Sequence, residues 1–164
     1  MLIHRTQVTV KNLSAKDVFD FLINPSNDRY QSWWPGVHLR FYNIRAVPRN
    51  VGNLVCMDEF VGKWRLRLTG IVTKADDGRR ITWQLVKGVR LPAWLDLQLQ
   101  DTAKGVQIDH MAMIGFRGLL GKVSDPLCNL YFTRRKKRYL TEHVHEEFNR
   151  LAQLLSSLRD KSHG

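Results

Sequence analysis

The sequence lacks long apolar runs, and this absence excludes one class of protein. No apolar run among the 164 residues approaches the roughly 20 residues that a membrane-spanning helix requires. The first ten residues, MLIHRTQVTV, also lack the long apolar block of a signal peptide. We therefore expect no transmembrane segment and a cytoplasmic location.

Cysteine is scarce as well. Cys56 and Cys128 lie far apart and do not form a metal-ligand spacing, which favours two ordinary thiols in a reducing compartment. No internal repeat or low-complexity linker divides the chain. The length therefore favours one domain over residues 1–164, large enough to bury a real core.

Acidic residues are in deficit, because 15 of them stand against 26 basic residues and the net charge is +11. Such a charge attracts anions, whether nucleic acid, anionic lipid or acidic metabolites. The densest basic stretch is TRRKKRY at 133–139, which is typical of a solvated helix start. Docking on an anionic membrane is a second interpretation. Nucleic-acid binding is disfavoured because no recognised motif accompanies the stretch.

The N-terminal pattern predicts a strand followed by a short helix. Ile3, Val8 and Val10 are compatible with a strand, and Ser14 followed by Asp17 resembles a capping box. Pro25 should end the helix. The stretch SWWPG then predicts a turn that carries two adjacent tryptophans.

From about residue 38 to 115 the apolar residues recur with a period of two, which indicates antiparallel strands. The clearest hairpin has Asp77-Gly78 as its loop, so that residue 72 pairs with 83 and residue 70 with 85. This register gives one apolar face, while Arg65, Arg67 and Arg80 share the other. The apolar face consists of Trp64, Leu66, Leu68, Gly70, Val72, Ile81, Trp83 and Leu85.

The next hairpin favours a four-residue loop from Asp101 to Lys104, with His110 on the apolar face opposite Leu95. A five-residue loop would turn His110 to the other face and would split the apolar sets. After it, a long amphipathic helix is predicted from a stripe of apolar residues at spacings of three and four. The stripe consists of Leu140, Val144, Phe148, Leu151, Leu155 and Leu158.

This order of elements, together with particular stretches, resembles the START-like, birch-pollen-allergen-like superfamily, which includes polyketide cyclases and coenzyme Q-binding proteins. The stretches are AKDVFDFLINPSNDRYQSWWPGV, VGNLV, GIV, ITWQL, MIGFRG and EHVHEEFNRLAQLL. The resemblance implies an α+β helix-grip fold, in which a curved antiparallel sheet wraps around the long C-terminal helix and short helices follow the first strand. It also implies a cavity for hydrophobic ligands such as lipids, sterols, polyketides or quinones.

Within such a cavity we expect several residues to contact a ligand, with Trp34 at the cavity or its lid and Trp33 packed under the short helices. Core packing is an adequate alternative for each tryptophan. Lys137 could meet an anionic head group at the mouth, and residues 116–130 could open and close over it. The expected ligand-binding residues are Trp34, Trp64, Leu68, Gly70, Trp83, His110, Phe116 and Lys137.

No catalytic residue is assigned from the sequence. His110 is interpreted first as a core histidine, and proton transfer by it would need a second polar group, for which Asp58 is the one candidate. In EHVHEE, His143 and His145 point about 200° apart on a helix, so they cannot share a metal ion. His143 and Glu147 could, but two ligands are too few for zinc, and we expect no metal and no cofactor.

The favoured function is therefore binding of a hydrophobic or amphipathic small molecule in an internal cavity, with an anionic membrane surface as a second partner. A cyclase, aromatase or dehydratase that uses the same cavity is the main alternative. A nucleic-acid or interaction module acting through 133–139 is the third. The sequence does not predict an oligomeric state.

Overall fold

A computed structural model describes residues 1–116, 118, 130 and 132–162. Seven strands form one antiparallel sheet in the spatial order β1-β7-β6-β5-β4-β3-β2. They are β1 (Leu2–Val10), β2 (His38–Arg45), β3 (Leu54–Val61), β4 (Trp64–Asp76), β5 (Arg80–Lys87), β6 (Val89–Thr102) and β7 (Gly105–Ile114). Helices α1 (Ala15–Ile23) and α2 (Asn27–Trp33) follow β1, and the long helix α3 (Arg134–Ser162) follows the sheet. The predicted helix-grip fold is confirmed.

The short helices confirm one prediction and correct another. Ser14 and Asp17 form the predicted capping box, in which each side chain accepts a hydrogen bond from the other residue's backbone N–H, and α1 ends before Pro25. The tryptophan segment is not simply a turn, because α2 continues to Trp33 and Trp34 follows as its C-cap. The two indoles are therefore placed by the end of a helix and not by extended backbone.

The hairpin of β4 and β5 has the predicted pairs Gly70 with Leu85 and Val72 with Trp83. Its loop is longer than predicted, because Asp76 pairs with Arg80. A bulge between Val72 and the next paired residue restores the register, since one extra residue on β4 compensates for the extra loop residue. The predicted inner face of this hairpin is thus correct although the turn is not.

The predicted register of β6 and β7 is wrong by two residues. His110 lies opposite Leu97, not Leu95, and the loop is the two residues between Thr102 and Gly105. Gly105 has a φ of 120°, and a Cβ there would lie 2.1 Å from the carbonyl oxygen of Val10, so the position requires glycine. An even shift keeps each side chain on its face, and His110 therefore still points inward.

Helix α3 covers the inner face of the sheet with the predicted stripe. Val144, Phe148 and Leu151 are at most 2% exposed, and each contributes about 1.5–3 kcal/mol by burial. Leu158 is 48% exposed, so contact with the core ends before the end of the helix. The sheet and α3 together enclose the space in which the site lies.

None of the helices in the described ranges combines the length and apolarity needed to cross a bilayer.

Candidate functional site

A cavity of about 370 Å³ lies between the inner face of the sheet and α3. Its volume falls within the range of small-molecule sites, about 300–1,000 Å³. Most of the wall is apolar, and its polar side chains include Glu59, His110, His143 and Glu147. The apolar part includes Leu22, Trp33, Met57, Leu66, Leu68, Trp83, Leu85, Leu95, Leu97, Ala112, Phe132, Leu140, Val144 and Phe148.

The structure brings three of the predicted ligand-binding residues, Leu68, Trp83 and His110, into this wall. Gly70 lies on the same face, and a Cβ there would stand 3.3 Å from the Cβ of Trp83. The space left by the absent side chain is therefore taken up in part by its cross-strand neighbour. Contact of these residues with a ligand stays a prediction.

Three other predicted residues lie outside the wall as far as the described residues define it. The Trp64 ring packs edge-on against the Tyr139 ring at a centroid distance of 5.2 Å. Lys137 lies near His4, whose pKa is lowered first by burial and then by the positive charge of Lys137. Phe116 is 47% exposed. The predicted moving loop, 116–130, falls almost entirely outside the described residues.

The two adjacent tryptophans divide their roles differently from the prediction. Trp33 packs under the short helices as expected, yet it also lines the cavity, and its Nε1 donates a hydrogen bond to the backbone oxygen of Glu147. Trp34 stacks on the ring of His143 at 4.9 Å, with the guanidinium of Arg150 over the indole. Trp34 is therefore behind the polar part of the wall and not at the cavity itself.

At that polar part of the wall, four side chains from three elements meet, and three of them, Glu59, His143 and Glu147, line the cavity. His38 begins β2, Glu59 lies on β3, and His143 and Glu147 are one turn apart on α3. One nitrogen or oxygen atom from each of the four lies within 4.8 Å of the others. The exposed fractions of the side chains are between 0% and 13%. We call His38, Glu59, His143 and Glu147 the interior cluster.

Burial and mutual charge decide the protonation of the interior cluster. Burial lowers the pKa of His38 to about 4, and burial also raises the pKa of Glu147 to about 8. For His143, burial acts downward, but the carboxylates of Glu59 and Glu147 outweigh it and raise its pKa. For Glu59, burial acts upward, but His143, His38 and the hydroxyl of Tyr30 outweigh it and lower its pKa. These pKa directions favour the neutral forms of His38 and Glu147 and the charged forms of His143 and Glu59.

Tyr30 and the aromatic residues around it hold the interior cluster in place. The hydroxyl of Tyr30 donates a hydrogen bond to Glu59 Oε2, and its ring stacks on His38 at a centroid distance of 4.0 Å. Trp33 lies edge-on to His38 at 4.6 Å. These contacts hold the imidazole by packing, and neither of its nitrogens has a hydrogen-bond partner among the described residues.

His110 lies apart from these contacts and offers an unused polar atom. Its Nδ1 is buried and has no hydrogen-bond partner among the described residues. Burial lowers the pKa of His110 to about 4, so the ring is neutral at neutral pH. The predicted partner Asp58 does not meet it, because Asp58 accepts two hydrogen bonds from Arg65 at 2.9 and 2.8 Å.

No protein-family model matches the chain, and no curated protein is similar to it in sequence. Several solved structures are similar to this chain in fold. The ginseng (Panax ginseng) major latex-like protein 151 has 15% identity and a TM-score of 0.56, over 87% of this chain and 96% of its own. Protein NE0264 from Nitrosomonas europaea has 16% identity and a TM-score of 0.54, over 95% of each chain. A Polyketide_cyc-like protein from Corynebacterium glutamicum, Cgl2372, has 12% identity and a TM-score of 0.50, over 98% and 94%.

This chain has the helix-grip fold. The resemblance inferred from the sequence motifs is therefore confirmed for the fold. Identities of 9–16% among the similar structures carry no residue roles across, so the site rests on its own geometry.

Sequence reasoning missed half of the interior cluster of this helix-grip domain. Glu59 could have been found, because a two-residue loop at Gly62-Lys63 pairs Val61 with Trp64 and so places Glu59 opposite Leu66, which was predicted to face inward. His38 carried no such signal. It reaches the cluster only because α2 and its C-cap return the chain to the start of β2.

Proposed function

We propose that the protein binds a hydrophobic or amphipathic small molecule, such as a lipid, a quinone or a polyketide-like compound, in the cavity between the sheet and α3. The observation that carries this proposal is the volume of about 370 Å³ within a mainly apolar wall. An apolar molecule of matching shape would gain by leaving water, and the binding free energy would come chiefly from that transfer.

The polar groups of the wall favour a ligand that has an oxygen atom at one end. His110 Nδ1 has no hydrogen-bond partner in the described structure, and a buried polar atom without a partner costs about 1–3 kcal/mol. A hydroxyl or carbonyl group of a ligand could supply the missing hydrogen bond. An amphipathic ligand is therefore favoured over a pure hydrocarbon.

The test compares two phenylalanine substitutions on neighbouring residues of β7. Ala112 lines the cavity, whereas Met111, the residue before it, points to the opposite, outer face of the sheet. Ala112→Phe should fill the cavity and weaken binding of an apolar fluorescent probe by at least about tenfold, since tenfold corresponds to 1.4 kcal/mol. Met111→Phe should leave probe binding unchanged. Circular dichroism and thermal melting verify that both variants fold.

Native mass spectrometry of the purified protein, followed by extraction with organic solvent, would identify a ligand carried from the cell. A lipid or quinone bound at one equivalent supports the proposal, and Ala112→Phe should lose it. Equal probe binding by wild type, Ala112→Phe and Met111→Phe would place the probe elsewhere and would contradict the proposal.

A second candidate function is a cyclase, aromatase or dehydratase reaction in the same cavity. It is favoured by the neutral, unpartnered His110 in the wall, which could accept a proton from a bound substrate. His110→Ala should then abolish turnover while binding is retained, so that the variant accumulates substrate where wild type holds product. A pure carrier should retain the same molecule in both proteins, with a modest change in affinity.

Delivery from an anionic membrane would account for the basic segment 133–139. The side chains of Arg135 and Arg138 lie near the Tyr139 ring, and Lys136 lies over Trp64, so cationic and aromatic groups alternate at the start of α3. Sedimentation with vesicles should increase with phosphatidylserine content and decrease with salt. Equal sedimentation with neutral and anionic vesicles would exclude this role. Strong binding to RNA with a steep salt dependence would instead favour a nucleic-acid module.

A further inference from the structure

The interior cluster brings two imidazoles and two carboxylates close enough together to surround a single ion. Its donor atoms come from β2, β3 and α3, and all lie within 4.8 Å of one another. The chain therefore brings together, from residues 109 positions apart in sequence, a set of four nitrogen and oxygen ligands.

The distances within the interior cluster are too long for direct hydrogen bonds. His38 Nε2 lies 3.8 Å from Glu59 Oε2 and 3.6 Å from Glu147 Oε1. His143 Nε2 lies 3.7 Å from Glu59 Oε2 and 4.0 Å from Glu147 Oε2. Hydrogen bonds from nitrogen to oxygen typically span about 2.7–3.2 Å. Each carboxylate thus faces two imidazole nitrogens without bonding to either.

The same distances are close to those between ligands that share a metal ion. Bonds of about 2.0–2.2 Å in a tetrahedral site separate the ligand atoms by about 3.3–3.6 Å. The four imidazole–carboxylate separations, 3.6–4.0 Å, reach at most 0.4 Å beyond this range, and one donor atom from each of the four residues lies within 4.8 Å of the others. Binding of an ion would therefore require the side chains to move closer together. An atom at the centre would contact all four residues at once.

The unpartnered nitrogens provide a second and independent observation. The side chain of His38 is fully buried, and neither of its ring nitrogens has a hydrogen-bond partner in the described structure. His143 Nε2 is likewise buried and unpartnered. Buried polar atoms are normally satisfied, so the two Nε2 atoms, both facing the same carboxylates, indicate a missing partner.

We propose that His38, Glu59, His143 and Glu147 bind a first-row divalent transition metal ion of the zinc class. Imidazole and carboxylate ligands suit such ions, and two carboxylates would neutralise the two positive charges in a buried place. Protein side chains would fill all four coordination positions, as they do in structural zinc sites. The ion would tie α3 to the edge of the sheet that contains β2 and β3. Glu59, His143 and Glu147 also line the cavity, but the proposal rests on the distances among the four side chains and not on the identity of a cavity ligand.

The sequence expectation of no metal rested on finding only His143 and Glu147 as a ligand pair. The fold supplies His38 and Glu59 from strands that are distant in sequence. Exclusion of His145 from the site agrees with the structure, because His145 is exposed on the other side of α3.

The test uses the full chain, stripped with a chelator and then titrated with Zn²⁺ by calorimetry. Wild type should bind one equivalent, and Co²⁺ in its place should give the intense visible absorption of four-coordinate cobalt. His143→Gln and Glu147→Gln should each weaken Zn²⁺ binding by more than about 100-fold, since even outer partners of metal ligands are worth 10–100-fold. Their matched controls are His145→Gln and Glu146→Gln, neighbours on the exposed side of the same helix, which should bind as wild type does.

Wild type alone can overturn the proposal, so the test does not depend on the folding of any variant. Absence of one-equivalent Zn²⁺ binding, or a cobalt spectrum of six-coordinate solvent-like type, would show that the interior cluster is an acid–base group without an ion. Equal losses in His143→Gln and His145→Gln would show binding to surface histidines and would also contradict the proposal. Melting temperatures in chelator verify that the variants fold.

Discussion

The carboxylates on the two faces of the sheet differ in their partners and in the distances to them. On the outer face, three carboxylates are paired with an arginine at hydrogen-bond distance, in the pairs Arg5–Asp109, Arg65–Asp58 and Arg80–Asp96. On the inner face, the carboxylates of Glu59 and Glu147 face imidazoles at 3.6–4.0 Å. The outer pairs are complete by themselves, whereas the inner groups leave atoms unsatisfied. This difference agrees with the proposal that ligands bind on the inner face, while the outer pairs contribute to stability.

The largest effect is expected at Asp96, an outer carboxylate whose fully buried side chain accepts hydrogen bonds from three different residues. It accepts hydrogen bonds from Arg80 at 2.7 Å, Thr82 at 2.5 Å and Gln98 at 3.0 Å. Asp96→Ala should lower the free energy of unfolding by about 2–3 kcal/mol, because charge-assisted bonds are lost and buried Thr82 loses its acceptor. Urea denaturation measures it. Asp77→Ala, at an exposed ion pair with Lys16, is the control and should change stability by less than about 1 kcal/mol.

The same carboxylate predicts a dependence on pH. Burial acts to raise the pKa of Asp96, but hydrogen bonds from Arg80, Thr82 and Gln98 outweigh it, and the folded pKa lies below the ordinary 3.8. The stabilisation is therefore complete above 3.8 and is lost as the pH falls through the folded value. The difference in unfolding free energy between wild type and Asp96→Asn should shrink over that range. A difference that stays constant from neutral pH down to about pH 3 would contradict this assignment.

Two histidines on neighbouring strands differ in their hydrogen bonding, because His4 has a side-chain partner and Nδ1 of His110 has none among the described residues. His4 Nε2 lies 3.0 Å from Thr141 Oγ1, whereas His110 Nδ1 has no partner in the described structure. His4→Leu should destabilise the protein by about 1 kcal/mol, while His110→Leu should be neutral or stabilising, because it removes a buried nitrogen that has no partner among the described residues. Thermal and urea denaturation check both. A larger loss in His110→Leu than in His4→Leu would show that His110 is a structural residue.

The smallest effect is expected at Arg5, whose side chain is 59% exposed although it bonds to Asp109. Arg5→Gln should change the free energy of unfolding by less than about 1 kcal/mol, and the change should diminish in high salt. Denaturation at two salt concentrations measures it. A salt-independent loss above that size would mean that exposed and buried outer pairs do not differ as the comparison requires.

The fold was predictable because its signals are local and periodic. The pattern around Trp83 and Leu85 placed the inner face of the sheet correctly, and an inserted residue after Val72 compensated for the unrecognised loop residue. The register of His110 was wrong because an alternating apolar pattern is satisfied equally well by a shift of two residues. Periodicity thus determines which way a side chain points but not what lies opposite it.

The interior cluster was harder to predict because it depends on where separate elements meet. His143 and Glu147 were visible as a pair one helical turn apart, but nothing near them in sequence indicates His38. The unexpected placement of Trp33 in the cavity wall and of Trp34 against His143 has the same origin. Their directions follow from the end of α2, a short helix that the apolar pattern does not reveal.

The placement of Trp33 and Trp34 gives the molecule an optical signal of its own. One indole is hydrogen-bonded to the backbone of Glu147 and the other lies face to face with His143. Any event that alters either side chain should change the wavelength or the intensity of the light these rings emit. Events deep inside the domain could therefore be followed in real time without attaching a dye.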